Sequence, residues 1–223
     1  MPSEIKIDKI IRSKRKSIAL VITPDATLII RAPLRTTLEY INNLIFQKRF
    51  WIDRKKKQML KHGAPVKSKE FIDGEEFLYL GEAYKLKIEP GKNIQLADYL
   101  YFPKKYLNKP RIKMIKWYKQ KAREIITQRA ERISCFTGWK FKSISISSAE
   151  TRWGSCGAGG SINLTWKLVM APLSVVDYVL VHELAHTVER NHSAKFWNKV
   201  EAALPDYKIR QKWLKDNGAK LKI

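Results

Sequence analysis

The sequence predicts an α+β fold, with strands and helices held in separate stretches of chain, and three observations carry that reading. Alternating apolar residues mark half-buried strands over residues 5–32 and again over 71–102. Apolar residues recur at helical spacing over residues 36–62, 112–133 and 175–188. Pro103 and Pro110 bracket a short basic linker, Lys104 to Lys109. That linker divides the chain into a strand-rich N-terminal α+β domain, residues 1–106, and a C-terminal domain, residues 107–223.

Taken in order, Ile5, Ile7 and Ile10 open the first strand region, and a basic patch from Arg12 to Lys16 follows. Ile18, Leu20 and Ile22, then Leu28 and Ile30, keep the two-residue period, with Pro24-Asp25-Ala26 as a turn between them. Thr37 is placed to cap a helix built on Leu38, Ile41, Leu44, Ile45, Ile52 and Met59, closed by His62-Gly63-Ala64-Pro65. That helix also carries Phe46, Phe50 and Trp51 among Lys48, Arg49 and Arg54 to Lys57. The commoner arrangement puts such aromatics in the core and the cations in solvent. The alternative is a basic aromatic face that grips nucleic acid or a membrane surface.

Phe71 to Phe102 returns to strands punctuated by Gly74, Gly81 and Pro90-Gly91. Beyond the linker, Ile115, Tyr118, Ala122, Ile125, Ile126 and Ile133 define a long helix. Trp139 to Ser147 reads as a strand, Gly157-Ala158-Gly159-Gly160 as a hairpin turn, and Ile162, Leu164 and Trp166 as the strand returning from it. Ser174 and Asp177 form an S-x-x-D capping box for a helix starting near Val175. Ser193 caps a further helix through Phe196, Trp197, Val200 and Leu204, which Pro205 stops, and a basic helix ends near Gly218.

A formal charge of +23 spread along 223 residues makes a surface that attracts polyanions such as nucleic acid or nucleotides. Two cysteines, Cys135 and Cys156, lie outside any C-x-x-C pair, so a disulfide framework is not expected. Met1 to Lys16 lacks the apolar core of a signal peptide, and no apolar run approaches the ~18 residues of a membrane span. These features predict a soluble cytoplasmic protein with no membrane partner.

Val181-His182-Glu183-Leu184-Ala185-His186 is an H-E-x-x-H motif, and its context makes it more than chance. Three of the chain's four histidines, His182, His186 and His192, fall within eleven residues. On a helix, His182 and His186 project from one face a turn apart and can share one Zn2+ at about 2.0–2.1 Å. His192, beyond the expected helix end, can return as the third ligand, leaving the fourth position of a catalytic zinc open. Glu183 is then placed to act on water rather than on the metal. Core histidines with satisfied ring nitrogens are the structural alternative.

Thr151-Arg152-Trp153-Gly154-Ser155-Cys156, Asn163-Leu164-Thr165-Trp166, Ala171-Pro172, Asp177-Tyr178-Val179 and His192-Ser193…Phe196-Trp197 occur in the order of a known family. With Phe71-x-x-Gly74…Tyr79-Leu80-Gly81…Tyr84, the chain resembles the YgjP-like metal-dependent hydrolases, relatives of the SprT and WLM zinc metalloproteases, over nearly its whole length. The resemblance implies a minimal zincin-like catalytic domain: a long helix, a small antiparallel sheet, the H-E-x-x-H helix and C-terminal helices. It also implies zinc on His182, His186 and His192. The ten-residue reach to His192 is the metzincin spacing, but Glu189 stands where metzincins turn the chain on glycine. Asn191, tolerant of positive φ, is the candidate to make that turn, and Glu189 is a fallback ligand.

The chemistry expected of such a site is hydrolysis, with zinc lowering the pKa of its water and Glu183 taking the proton. Arg152 is the candidate to stabilise the anionic transition state, unless it pairs structurally with Glu150 or Asp177. Cys156 reads as a buried thiol rather than a metal-capping switch. A peptidase acting on peptide or protein is the first reading of the function. A metal-dependent nucleoside triphosphate (UTP) pyrophosphohydrolase, an activity the resemblance also implies, is the second. A nucleic-acid-binding protein with a structural zinc is the third, against which the open fourth position argues.

Overall fold

A computed structural model describes residues 5–23, 25–61 and 68–223, without the side chains of residues 58–61. It divides into two units, Met1–Lys67 and Ser68–Ile223. In the first, β1 (Lys9–Ser13) pairs in parallel and β2 (Ala19–Ile22) in antiparallel fashion with the central β3 (Leu28–Pro33). Helix α1 (Leu38–Lys61) starts where Thr37 Oγ1 accepts a hydrogen bond from the Tyr40 amide at 3.2 Å. Leu28, Ile30 and Ala32 of β3 share a core with Ile41, Ile45 and Ile52 of α1.

That core corrects the reading of the helix aromatics. At about 100° per residue, a buried stripe through Ile41, Ile45 and Ile52 leaves positions 46 and 50 on the opposite side. Phe46 and Phe50 are 65% and 69% exposed, and Arg49 lies over both rings, 4.3 and 4.5 Å from their centroids. Pro24 of the expected turn and the expected helix closure at His62–Pro65 lie outside the described residues.

The second unit begins with a four-stranded sheet of order β4-β5-β7-β6: β4 (Glu76–Tyr79), β5 (Glu82–Glu89), β6 (Gln95–Leu96) and β7 (Leu100–Pro103). The division between units therefore falls at 67/68 and not at the prolines near 106. Phe71, Phe77, Leu86, Leu100 and Phe102 belong to the same core as the H-E-x-x-H helix, which is why these strands stay with it. The β4–β5 hairpin tip is part of that attachment. The Leu80 amide donates to the Val169 carbonyl at 2.7 Å, and Gly81, at φ +91°, leaves no room for a Cβ, which would meet Pro172 at 2.9 Å. Tyr118 adds a hydrogen bond from its hydroxyl to the Leu78 carbonyl at 2.7 Å.

Helix α2 (Pro110–Thr137) takes Pro110 in its first turn, where the missing amide costs nothing. After it, β8 (Ser143–Ser147), β9 (Gly154–Cys156) and β10 (Ser161–Thr165) form a sheet of order β8-β10-β9. The Gly157–Gly160 hairpin turn stands, but the sheet is mixed rather than antiparallel. The Gly157–Gly160 turn returns from β9, whereas β8 runs parallel to β10. Residues 148–153 between β8 and β9 let the chain cross to the far side of β10. The fold ends in α3 (Leu173–Ala185), α4 (Ala194–Ala203) and α5 (Tyr207–Asn217). The Phe196 amide donates to Ser193 Oγ at 3.3 Å, as expected of that cap. The class is mixed α+β throughout, and among the described residues no helix is long and apolar enough to cross a membrane.

Candidate metal centre

Helix α3 is apolar nearly all round, and Val175, Val176, Val179, Leu180, Val181, Leu184 and Ala185 are buried. It packs against α2, α4, α5 and β9, which fixes its rotation and so the direction of its histidines. The capping box is corrected. Helix α3 starts at Leu173 after Pro172, with no side-chain cap, and Asp177 instead takes a two-pronged bond from Arg129 of α2, with Nε to Oδ1 at 2.7 Å and the second nitrogen to Oδ2. A bidentate guanidinium pins α3 against α2 more firmly than a cap would.

Three imidazoles converge below this helix. The ligating nitrogens of His182, His186 and His192 lie within 4.8 Å of one another, and Nε2 of His182 is 3.0 Å from Nε2 of His192. Among the described residues no other group of three or more side chains of metal-ligating type is gathered this way. The chain reaches His192 without a left-handed residue, since Asn191 is absent from the positive-φ residues, Ala26, Phe71 and Leu80 besides glycines. It continues the helical turn past Ala185 through Thr187, Val188 and Glu189 amides bonded to the Leu184 and Ala185 carbonyls, then tightens at Asn191–Ser193. Glu189 contributes its backbone, not its carboxylate. His186 Nδ1 donates to the Glu189 carbonyl at 3.2 Å, which leaves Nε2 with its lone pair toward the cluster.

The donor set fits a transition-metal ion. A tetrahedral zinc at 2.0–2.1 Å from each nitrogen separates them by roughly 3.3 Å, close to the spacing seen between His182 and His192. Burial, with His186 and His192 nearby, pushes the His182 imidazole down to about 4, and burial also lowers His186. Both are therefore neutral at pH 7, the form that ligates a metal. Nδ1 of His182 is buried without a hydrogen-bond partner.

Glu183 is not among the converging groups, but lines one cleft with His182. It is 6% exposed, and burial raises its carboxyl to about 7 against the opposing charge of Arg152. Its carboxylate lies against Gly154 on β9, where an added Cβ would be 2.6 Å from Oε1. Arg152 is exposed at the mouth of this region. Both structural partners anticipated for it are taken, Glu150 by Lys167 at 2.6 Å and Asp177 by Arg129. Cys156 is half-buried, its thiol raised by burial, and is not among the converging groups.

Residues the sequence did not single out complete the site. Phe196 stacks on His186 at 4.5 Å, and Trp197 on His192 at 5.8 Å, with Tyr207 behind Trp197 at 5.4 Å. Arg190 donates to the Ala158 carbonyl, tying the segment before His192 to the β9–β10 turn. The sequence signals for Phe196 and Trp197 were their helical register after Ser193 and their place in the motif order that carries the family resemblance, neither of which assigned them to the site.

A family model described as "YgjP-like, metallopeptidase domain" matches residues 16–217. The chain belongs to the YgjP-like family. Its metallopeptidase domain is that of a metal-dependent hydrolase, and the α+β layout above is the YgjP-like version of a zincin-like domain. No curated protein matches the chain. Among solved structures, the metallopeptidase zymogen abylysin of Pyrococcus abyssi matches 39% of this chain and 89% of its own, at 22% identity and a TM-score of 0.37.

Proposed function

We propose that this protein is a zinc-dependent peptidase in which His182, His186 and His192 hold the metal and Glu183 is the general base. The observation that carries the reading is the placement of Glu183: buried, beside the imidazole cluster but outside it, with a carboxyl poised near pH 7. Zinc bound there supplies Lewis acidity toward a water and the scissile carbonyl. Glu183 takes the proton of the attacking water and hands it to the leaving amine. Arg152, the nearby cation, faces the charge that develops on the carbonyl oxygen. Strand β9 lies at the edge of its sheet, so its outer backbone groups can align an extended peptide beside Glu183 by strand addition.

Three imidazoles with no carboxylate among them suit zinc rather than magnesium, which favours peptide hydrolysis over a magnesium-type triphosphate reaction. The absence of a fourth side chain in the cluster, among the described residues, supports a catalytic over a structural zinc. The test is a paired assay of zinc-loaded protein on casein and on a panel of nucleoside triphosphates including UTP, with Glu183→Gln as control. Casein cleavage lost in the variant supports the reading; triphosphate cleavage alone replaces it with the pyrophosphohydrolase.

A partner follows from the first unit. The exposed Phe46–Arg49–Phe50 face pairs flat aromatic rings with a guanidinium, and Arg54 and Lys57 continue along the same helix. Bases stack on such rings while cations meet phosphates, so this face suits single-stranded nucleic acid. Both cysteines are free, which supports a reducing, cytoplasmic setting.

A further inference from the structure

A second cavity adjoins the metal centre. It encloses about 290 Å³ between the segment before β9 and the C-terminal residues, and is lined by Arg152, Trp153, Lys167, Glu150 and Lys222 among others. Trp153 also lines the cleft that contains His182 and Glu183, so one residue is shared by the two spaces.

The charges in this cavity are unequal. Lys167 is buried, its side chain 11% exposed, yet its ammonium is bonded at 2.6 Å to a Glu150 carboxylate whose side chain is 74% exposed. A buried ammonium requires a partner, but a carboxylate facing solvent is exchangeable, because a pair with one exposed member holds weakly. Lys222 and Arg152 are further cations lining the cavity, and Lys222 and Arg111 add to the pull that keeps Glu150 ionised. The cavity therefore already accommodates one carboxylate on Lys167 and carries positive charge beyond what that carboxylate neutralises.

We propose that this cavity is a specificity subsite for an acidic side chain, Asp or Glu, of a peptide substrate. The incoming carboxylate replaces Glu150 on Lys167 and meets Lys222, while Glu150 swings to solvent. This assignment rests on the peptidase reading for the identity of the ligand, since a peptide running along β9 passes Trp153 into the cavity.

The test uses blocked peptides that carry one Glu at scanned positions, against the same peptides with Gln. Zinc-loaded wild type should cleave the favoured Glu peptide about tenfold better in kcat/KM, chiefly through KM. Lys222→Gln, at an exposed position, should remove most of that preference without changing cleavage of the Gln peptide. Glu150→Gln, which removes the internal competitor, should lower KM for the Glu peptide alone. Equal cleavage of both peptides at every position, or a preference untouched by Lys222→Gln, overturns the subsite. If no peptide is cleaved, the peptidase reading fails, and calorimetric titration of the same peptides into Glu183→Gln protein reads the cavity separately. Glu-peptide binding lost with an added Lys222→Gln sustains the subsite; no Glu-over-Gln difference overturns it. Inorganic phosphate that binds in a Lys222-dependent way where the Glu peptide does not bind also overturns it, in favour of a phosphate ligand.

Discussion

Gly154 and Glu183 are in contact so close that no side chain fits between them: a Cβ at position 154 would stand 2.6 Å from Oε1 and 2.8 Å from Cδ of the carboxylate. Strand β9 and helix α3 meet at this point, and the glycine lets the edge strand run directly over the Glu183 carboxylate. Gly154→Ala should displace the Glu183 carboxylate while leaving the three imidazoles in place. We expect zinc content near wild type, a stability loss of about 1–3 kcal/mol and activity reduced by one to two orders of magnitude. Metal analysis with steady-state kinetics checks this, and unchanged kcat would mean that the carboxylate acts elsewhere.

The imidazole cluster predicts one zinc per chain. His186→Ala should lose it, because its Nε2 is oriented by the bond from Nδ1 to the Glu189 carbonyl and, among the described residues, no carboxylate belongs to the cluster to replace it. Zinc measured by atomic absorption after dialysis decides the point. Full retention by the variant would place the metal elsewhere.

Two buried groups predict the pH dependence of stability in chelator-treated protein. The Glu183 carboxyl rises from 4.5 to about 7 on folding, so between those values the native state keeps a proton the unfolded chain has lost. Stability therefore falls as pH rises through this window. Glu183→Gln removes that loss and should be more stable than wild type at pH 8 by about 3 kcal/mol, yet equal to it near pH 4. His182 acts in the opposite sense: its depression from 6.5 to about 4 costs stability as pH falls through that range, in wild type and variant alike. Urea titrations at pH 4 to 8 measure both slopes, and equal stability at pH 8 would show that Glu183 is not buried as an anion.

The exposed face of α1 predicts binding of oligothymidine. Phe46→Ala with Phe50→Ala should weaken it by about tenfold or more, since each stacked base contributes about 1–3 kcal/mol. Affinity should also fall steeply with added salt. Fluorescence anisotropy at low and moderate salt reads both effects, and no binding at low salt removes this partner.

Much of the metal centre was legible because its signals are local. The spacing of His182, Glu183 and His186 needs only a helix, and the apolar run around them made that helix certain to be buried. Ser193 capped α4 and Thr37 capped α1 as their positions foretold. Where a reading depended on a distant partner, it failed. Asp177 read as a cap because its neighbour in space, Arg129, lies 48 residues away. The strand at 154–156 was missed because three residues leave no period to detect, and Phe46 and Phe50 read as core because composition does not say which face of a helix is covered.

By itself, the sequence determined the α+β class, the helix that bears the histidine pair and the residue types able to hold zinc, since these follow from periodicity and donor chemistry along a few turns of chain. Only the tertiary structure decided that His192 returns to the pair, that Glu183 is shut against Gly154, and that residues 68–106 share the catalytic core. Those outcomes depend on long-range packing, in which the burial of one element sets the surroundings, and hence the protonation and reach, of side chains on another.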